Sequence, residues 1–184
     1  MQNRLALLTL SVISGLFILS GCTKPYVITS ELEKPLMTSS YCIIEDMKDE
    51  LPADLAEEKK PTREVLDKFN DYLIDELQKT DLFGSVAYTF PSKIKYKVTG
   101  AILDYTAGSG FLRFMFGAWA GSSKVVVSLK LLDYETGEVL YAGNFKGIVT
   151  SWAETGDKVY KQVAHNFAQT IEKKHKKLIK EEKE

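Results

Sequence analysis

Histidine is the side chain best suited to acid–base and metal chemistry near neutral pH, and this chain has two, His165 and His175. They lie ten residues apart in a segment with helical periodicity, so on a 3.6-residue repeat they point in quite different directions. We therefore expect two partly exposed helix residues that share no metal. The motifs G-x-S-x-G and H-E-x-x-H and any Cys–His metal spacing are missing from the sequence. The sequence thus favours a protein that is not an enzyme and has no cofactor.

Carboxylates offer a second route to acid–base catalysis. Asp104 and Asp133 come near the ends of predicted strands and could lie close enough to act as a pair. We favour simpler roles, an ion pair for Asp104 and turn capping for Asp133. The acids between Asp46 and Lys60 lack the ladder and the turn glycine of a calcium loop, so this segment is interpreted as a solvated connector.

Two features argue against nucleotides and nucleic acids as partners. The sequence Gly108-Ser109-Gly110 begins like a dinucleotide-binding motif, but Arg113 takes the place of the third glycine. The 24 basic residues are balanced by 25 acidic ones, which gives no basic excess for binding a phosphate backbone.

Cys22 belongs to the most specific motif in the chain. Arg4 supplies a positive start, residues 5–18 form an apolar stretch, and LSGC follows at residues 19–22. These four residues resemble the lipobox of bacterial lipoproteins. The resemblance implies cleavage between Gly21 and Cys22 and a diacylglyceryl thioether on the Cys22 sulfur. It also implies a third acyl chain, such as palmitate, on the new amino group.

The same motif predicts where the protein is located. The apolar stretch is shorter than the ~20 residues of a membrane-spanning helix and has the layout of an export signal; a retained transmembrane anchor is the alternative. Two or three acyl chains hold a protein stably on a bilayer. In Gram-negative lipoproteins an Asp after the lipidated cysteine commonly retains the protein at the inner membrane, whereas Thr23 stands here. We therefore expect residues 22–184 to be one domain anchored on the periplasmic side of the outer membrane.

Cys42 has no partner for a disulfide within the chain once Cys22 carries lipid. It lies in the β-like run at residues 41–45. The favoured interpretation is a small buried apolar residue. A reactive or intermolecular thiol is the alternative.

Apolar periodicity predicts two main helices. In residues 62–79 apolar side chains recur in steps of three and four, and a second stripe runs through residues 157–180. Pro61 suits the entry to the first helix. The second helix ends in Lys and Glu, so we expect the tail 179–184 to fray and the folded body to cover residues 26–178.

Alternation of apolar and polar residues predicts the strands. They cover residues 26–30, 41–45, 86–90, 94–105, 125–131 and 139–149. Before the last of them, Asp133 can cap a turn and Gly137 can adopt the positive φ of a bulged hairpin. The fold class that follows is one α/β domain, with a mixed, largely antiparallel sheet of about five or six strands and both helices on one face.

One connection between strands is too apolar for an ordinary loop. Residues 108–121 read GSGFLRFMFGAWAG, and burial of one large apolar side chain is worth roughly 1.5–3 kcal/mol, so most of these side chains must be covered. The segment could fold over its own sheet, form a subunit interface or insert into the nearby membrane surface. The candidate contact residues are Phe111, Leu112, Arg113, Phe114, Met115, Phe116 and Trp119.

Several phrases together resemble a family of bacterial lipoproteins known as a domain of unknown function. They are VTGAILDY at residues 98–105, the glycines and the arginine of residues 108–121, and DYETG at residues 133–137. Trp119 departs from the family pattern, which has small residues there. More distantly, the chain resembles the TolB amino-terminal domain and the curli-export lipoprotein. Those resemblances imply a compact α/β domain and work in periplasmic assembly.

These observations predict a lipid-anchored cell-envelope protein that binds or scaffolds an unidentified envelope partner. The alternative is a self-assembling export or pore-type component that uses residues 108–121 for oligomer or membrane contact. The expected partners are the membrane, through the lipid on Cys22, and either an envelope protein or further copies of the chain.

Overall fold

The computed structural model describes five stretches of the chain, residues 26–51, 60–91, 93–106, 123–149 and 158–184. These stretches contain seven strands and two helices. In chain order they are β1 (Tyr26–Ser30), β2 (Tyr41–Ile44), β3 (Lys48–Asp49), α1 (Arg63–Gln78), β4 (Ser85–Ala87), β5 (Ile94–Thr106), β6 (Ser123–Asp133), β7 (Val139–Val149) and α2 (Lys158–Glu181).

The strands form one mixed sheet in the order β1–β7–β6–β5–β2–β4, and β3 pairs with β5 beyond the end of β2. The pairs β1–β7, β6–β7 and β5–β6 are antiparallel. β2 and β3 run parallel to β5, and β4 runs parallel to β2. The predicted fold class, a single α/β domain with a mixed and largely antiparallel sheet, is confirmed.

The sheet has seven strands rather than five or six because β3 lies in the segment interpreted as a connector. β3 pairs with residues 101–102 of β5, and Met47 just before it is buried. The prediction of a solvated connector was wrong for residues 47–49, because burial of Met47 holds this part of the chain against the sheet. Residues 52–59 of the same segment lie outside the described residues.

α1 begins where the sequence predicts. Thr62 caps the helix, and its Oγ1 accepts a hydrogen bond from the N–H of Val65 at 3.4 Å. The apolar stripe faces the sheet and is buried. Its members are Leu66, Phe69, Leu73 and Leu77.

α2 provides the second stripe. Phe167 and Ile171 are fully buried, and Phe167 meets Phe145 of β7 edge-on with ring centroids 5.3 Å apart. The helix predicted over residues 157–180 is confirmed. The tail that was expected to fray is helical as far as Glu181.

Both helices pack on one face of the sheet. α1 packs over β2 and β4, and α2 packs over β6 and β7. Along β6 every second residue is fully buried beneath the helices, as the alternation predicts. These residues are Val125, Val127, Leu129 and Leu131.

The antiparallel strands define two ends of the sheet. β5 ends at Thr106, β6 begins at Ser123, and Val149 at the end of β7 lies opposite Ser123. We call this the upper end. β6 ends at Asp133 and β7 begins at Val139, and we call this the lower end.

β1 lies along one edge of the sheet, beside the middle of β7. Because it is antiparallel to β7, it starts towards the upper end, with Tyr26 opposite Phe145. It finishes lower, with Ser30 opposite Ala142. The chain therefore enters the described fold from the upper side.

The hairpin between β6 and β7 is built as predicted. Gly137 has a φ of +72°, and its N–H donates to the Asp133 carbonyl at 3.0 Å. The N–H of Asp133 donates to the Glu138 carbonyl at 2.9 Å. Local turn chemistry therefore fixes the lower end of these two strands.

Gly147 allows α2 to approach β7 closely at the upper end. A Cβ at this position would lie 2.2 Å from the carbonyl oxygen of Val159. No real side chain fits that distance, so the start of α2 rests directly on the backbone of β7.

Cys42 is fully buried in β2, which confirms its interpretation as a small core residue. Burial raises the pKa of its thiol well above the ordinary range. A protonated thiol without solvent access is a poor nucleophile, so the structure gives no support to a reactive role.

Candidate functional site

A groove of about 330 Å³ opens at the lower end of the sheet. One wall is the loop at residues 31–37, which follows β1, and the other is the β6–β7 hairpin. The groove carries charges of both signs, which suits a polar partner. Its charged lining residues are Glu31, Glu33, Lys34, Lys95, Asp133 and Glu138.

The loop wall is tied to the body of the protein at both ends. Near its start, Glu31 pairs with Lys174 of α2. At its finish, the N–H of Met37 donates to the Tyr96 hydroxyl of β5 at 2.8 Å. The loop has no regular secondary structure of its own, so these contacts determine its position.

His175 ties down the middle of the same loop. It is only 4% exposed, and its Nδ1 accepts a hydrogen bond from the N–H of Leu36 at 3.0 Å. The prediction that His175 is a partly exposed helix residue was therefore wrong. The physical reason is that residues 31–37 cover this part of α2, and the periodicity of a helix carries no information about a distant loop.

The hydrogen bond identifies the protonation state of His175. Because the Leu36 N–H donates to Nδ1, that nitrogen has no proton, and the neutral ring carries its hydrogen on Nε2. Burial lowers the pKa of His175, and Lys176 lowers it further against the opposing effect of Glu172. The ring is thus held neutral.

Asp133 organises the opposite wall of the lower groove. Its Oδ1 accepts hydrogen bonds from the N–H groups of Glu135 and Thr136, both at 3.0 Å. Its Oδ2 lies 2.8 Å from Lys95 Nζ. The ion pair with Lys95 and the two backbone bonds lower the pKa of Asp133 to about 2. The turn-capping role predicted for this residue agrees with the geometry.

Asp104 lies far from Asp133 and pairs with Lys124. Asp133 is opposite Tyr96, and from residue 96 to residue 104 the strand rises roughly 26 Å at about 3.3 Å per residue. The idea that the two carboxylates act together was therefore wrong. Both belong to ends of strands, but to opposite ends of the sheet.

A second groove, of about 350 Å³, opens near the upper end. Ile148 and Val149 of β7 supply its apolar surface, and Lys158 and Lys161 of α2 border it. The two grooves are similar in size and differ in chemistry, since the exposed surface is mostly polar in the lower one and mostly apolar in the upper one.

Glu76 was not singled out in the sequence, although it lies in this upper groove. Its side chain is 8% exposed, and its carboxylate bonds His165 Nδ1 at 2.8 Å and Lys79 Nζ at 2.6 Å. Burial alone would raise the pKa of Glu76, but the bonds from Lys79 and His165 outweigh it and lower the pKa. The sequence did contain one sign of this buried acid, because Glu76 lies on the apolar stripe of α1, between Leu73 and Leu77.

His165 is exposed, as predicted, and it is well separated along α2 from His175. Among the residues that the structure describes, no group of three or more His, Cys, Asp and Glu side chains could hold a metal ion. Within the same residues, no helix is long and apolar enough to cross a membrane.

The lipid-attachment site predicted at Cys22, with cleavage after Gly21, lies outside the described residues. The same is true of the candidate contact residues Phe111, Leu112, Arg113, Phe114, Met115, Phe116 and Trp119. The structure does show where their segment joins the fold: Thr106 before it and Ser123 after it are both at the upper end.

A protein-family profile matches residues 39–155, well over half of the chain. The chain belongs to the family described as "Domain of unknown function (DUF4410)". The resemblance to a family of unknown function is confirmed at this level, while the resemblances to TolB and to the curli-export lipoprotein stay predictions. No curated protein matches this DUF4410 chain in sequence.

Solved structures share the fold of this DUF4410 chain at low sequence identity. A PelC dodecamer from Paraburkholderia phytofirmans aligns with a TM-score of 0.59 at 12% identity, covering 80% of this chain and 96% of that one. A second PelC dodecamer structure from the same organism gives 0.58 at 13% identity, with 80% and 95% coverage. Protein XCC0632 from Xanthomonas campestris, assigned to DUF330, gives 0.51 at 11% identity, with 82% and 95% coverage. At these identities the similarity shows the fold alone.

Proposed function

We propose that this protein is a lipid-anchored module of the bacterial cell envelope, attached through Cys22 to the periplasmic side of the outer membrane. Its upper end faces the membrane and its lower groove faces a partner that it binds or scaffolds. The proposal includes no catalytic step, no cofactor and no nucleotide or nucleic acid partner. The direction of β1, whose first residue is the end nearer the top of β7, is the observation that carries it.

The length of the tether supports this orientation. Cys22 precedes Tyr26 by four residues, which span at most about 14 Å. Tyr26 is opposite Phe145, and from there β7 rises about 13 Å to Val149 at the upper end. A tether extended in the direction of β1 would therefore just bring a lipid on Cys22 to the level of the upper end.

The apolar segment between β5 and β6 starts and finishes at this same end. On the proposed orientation, residues 108–121 meet the membrane interface, where Phe, Leu and Trp side chains are stabilised. Arg113 would reach the lipid phosphates while its aliphatic part stays in the apolar layer. Coverage by the protein's own sheet and coverage by a second subunit are the competing explanations for this segment.

Mass spectrometry of the mature protein tests the anchor. We expect an amino-terminal Cys22 that carries acyl chains, and a Cys22→Ser protein that leaves the membrane fraction. An unmodified amino terminus, or a product that keeps its first 21 residues, would contradict the proposal.

Fluorescence quenching in liposomes tests the orientation. The chain has two tryptophans, so Trp152→Phe leaves Trp119 as the only tryptophan, which is excited selectively over the tyrosines. We expect brominated lipids to quench it in the lipidated protein. The matched control carries Phe at both positions and a Tyr134→Trp reporter at the lower end, where Tyr134 is exposed. Equal quenching of the two reporters, or quenching of neither, would rule out a membrane-facing upper end.

Self-assembly is the second candidate function. The observation that favours it is the shared fold with a protein whose structures are described as dodecamers. Light scattering of the Cys22→Ser protein in the absence of detergent measures its mass. A monomer in which residues 108–121 resist protease would end this candidate.

A triple change, Phe114→Ser with Phe116→Ser and Trp119→Ser, separates the remaining explanations. Loss of association with retained folding supports a subunit interface. Loss of folding supports coverage by the protein's own sheet. If the variant folds but binds liposomes more weakly, in an assay that does not use tryptophan fluorescence, the membrane orientation is supported.

A further inference from the structure

The loop at residues 31–37 is a wall of the lower groove that is held by two contacts to α2 and one to β5. Leu32 and Leu36 in this loop are buried, so the loop packs on the core although it has no regular structure. The N–H of Leu36 is satisfied by His175 Nδ1, a side chain from the far end of the chain. The shape of this wall therefore depends on whether His175 can accept a hydrogen bond.

An imidazole accepts at Nδ1 only while it is neutral. Protonation places a hydrogen on both ring nitrogens, so two N–H groups, those of His175 and Leu36, would then face each other across 3.0 Å. Both residues are buried, so this arrangement of two facing donors is unfavourable. The loop must then move away or the ring must stay neutral.

We propose that His175 is an acid-sensitive latch. When neutral, it holds the loop at residues 31–37 in place as a wall of the lower groove, which we call the closed state. When protonated, it releases the loop. The inference rests on one part of the proposed function, namely that the lower groove is the surface that binds a partner. It goes further by assigning that surface a means of regulation and the residue responsible.

Charged and titratable groups face the latch from each element around it. On α2, Glu172 bonds Lys176 at 2.6 Å on one side of His175, and Lys174 pairs with Glu31 of the loop. The loop adds Glu33 and Lys34, β5 contributes the Tyr96 hydroxyl, and Asp81 after α1 acts on Lys176. Ordinary carboxylates, ammonium groups and phenols have pKa values outside the range from pH 5 to pH 7.5. His175 is therefore the group here that can switch in that window.

The sign of the effect follows from linkage. His175 has a lower pKa in the closed state than an exposed imidazole, so the opened state binds more protons. The closed state thus has its full stability above about pH 6.5, the ordinary histidine value, and loses stability as the pH falls below it. An opened imidazole of that pKa would increase loop opening up to about 30-fold between pH 7.5 and pH 5.

Amide hydrogen exchange of the full mature, lipidated protein in detergent measures this opening. After correction for the intrinsic rates, protection of the peptide covering residues 31–37 should fall up to about 30-fold from pH 7.5 to pH 5. The opposite wall is an internal control, because Asp133 stays ionised over this range and the hairpin peptide at residues 133–140 should keep its protection.

The chain offers a matched pair of variants, since it has two histidines on the same helix. His175→Asn keeps an acceptor near the Nδ1 position but cannot titrate, so loop protection should become independent of pH. His165→Asn removes the other histidine, which contacts Glu76 in the upper groove, and should leave the pH response of the 31–37 loop unchanged. Loss of protection that persists in His175→Asn, or that disappears in His165→Asn, would overturn the latch.

A second measurement does not depend on the folding of His175→Asn. In His165→Asn the remaining imidazole signal belongs to His175, and its NMR titration should show a pKa below that of a free histidine, with a midpoint that coincides with loop opening. A loop whose protection does not change from pH 7.5 to pH 5 contradicts the inference. These readouts need no partner, so failure of the latch is distinguishable from failure of the proposed anchor, which the mass of the amino terminus decides.

Discussion

The two ends of the sheet hold grooves of nearly equal volume, about 350 and 330 Å³, but different forces hold their walls. At the upper end, α2 rests on β7 through direct backbone contact at Gly147. At the lower end, the loop and the hairpin are held by hydrogen bonds and ion pairs to His175, Lys174 and Lys95. The contact at Gly147 should therefore respond to changes of volume, whereas the loop and the hairpin of the lower end should respond to changes of charge.

The largest effect should come from Gly147→Ala. The new Cβ would lie 2.2 Å from the Val159 carbonyl oxygen, so either β7 or the start of α2 must move. We expect the free energy of unfolding to fall by about 3 kcal/mol, the upper part of the usual range for overpacking. Urea denaturation at pH 7 and pH 5 measures it, and the loss should be the same at both.

The matched control is Gly137→Ala in the hairpin. Nothing lies within 4 Å of a Cβ at this position, so only the φ of +72° is unfavourable for alanine. A smaller loss of about 1 kcal/mol is expected. Equal losses for the two glycines would mean that backbone contact does not distinguish the upper end.

An intermediate effect should come from Asp133→Ala at the lower end. It removes the acceptor of two backbone hydrogen bonds and the partner of Lys95, and we expect a loss of roughly 1–2 kcal/mol at pH 7. Since folding lowers the pKa of Asp133 to about 2, its contribution is complete above pH 4 and is lost as the pH falls through 2. Unfolding curves of both proteins from pH 7 to pH 2 should converge, and a constant difference would contradict this electrostatic origin.

The smallest effect should come from Glu31→Gln. The Glu31 side chain is 64% exposed, so water and salt screen its pair with Lys174. We expect a loss below about 1 kcal/mol that disappears at high salt. A larger loss that resists salt would show that this pair, rather than His175, is the main tether of the loop.

The sequence predicts α1, α2 and the hairpin because their determinants are local. Apolar steps of three and four define each helical stripe, and Asp133 and Gly137 build a turn within five residues. The alternation along β6 defines its buried face in the same way. For these elements, each residue and its partners are close in the chain or repeat with a fixed period.

His175 and Glu76 could not be placed from the sequence because their partners are distant in the chain. Leu36 lies 139 residues from His175, and His165 lies 89 residues from Glu76. A polar residue on an apolar stripe signals that such a partner exists, but it does not identify the partner. The walls of both grooves depend on such contacts, which is why the scaffold is more predictable than the candidate sites.

The antiparallel pairing of β1 with β7 has a mechanical consequence. If Cys22 is anchored as proposed, any load on the lipid pulls Tyr26 along the strand axis, while the β1–β7 hydrogen bonds lie across that axis. Such a load is shared by the paired residues at once instead of opening them one by one from an end. The hydrogen bonds between β1 and β7 would thus be loaded in shear, and force on the tether would be transmitted to the core through β7.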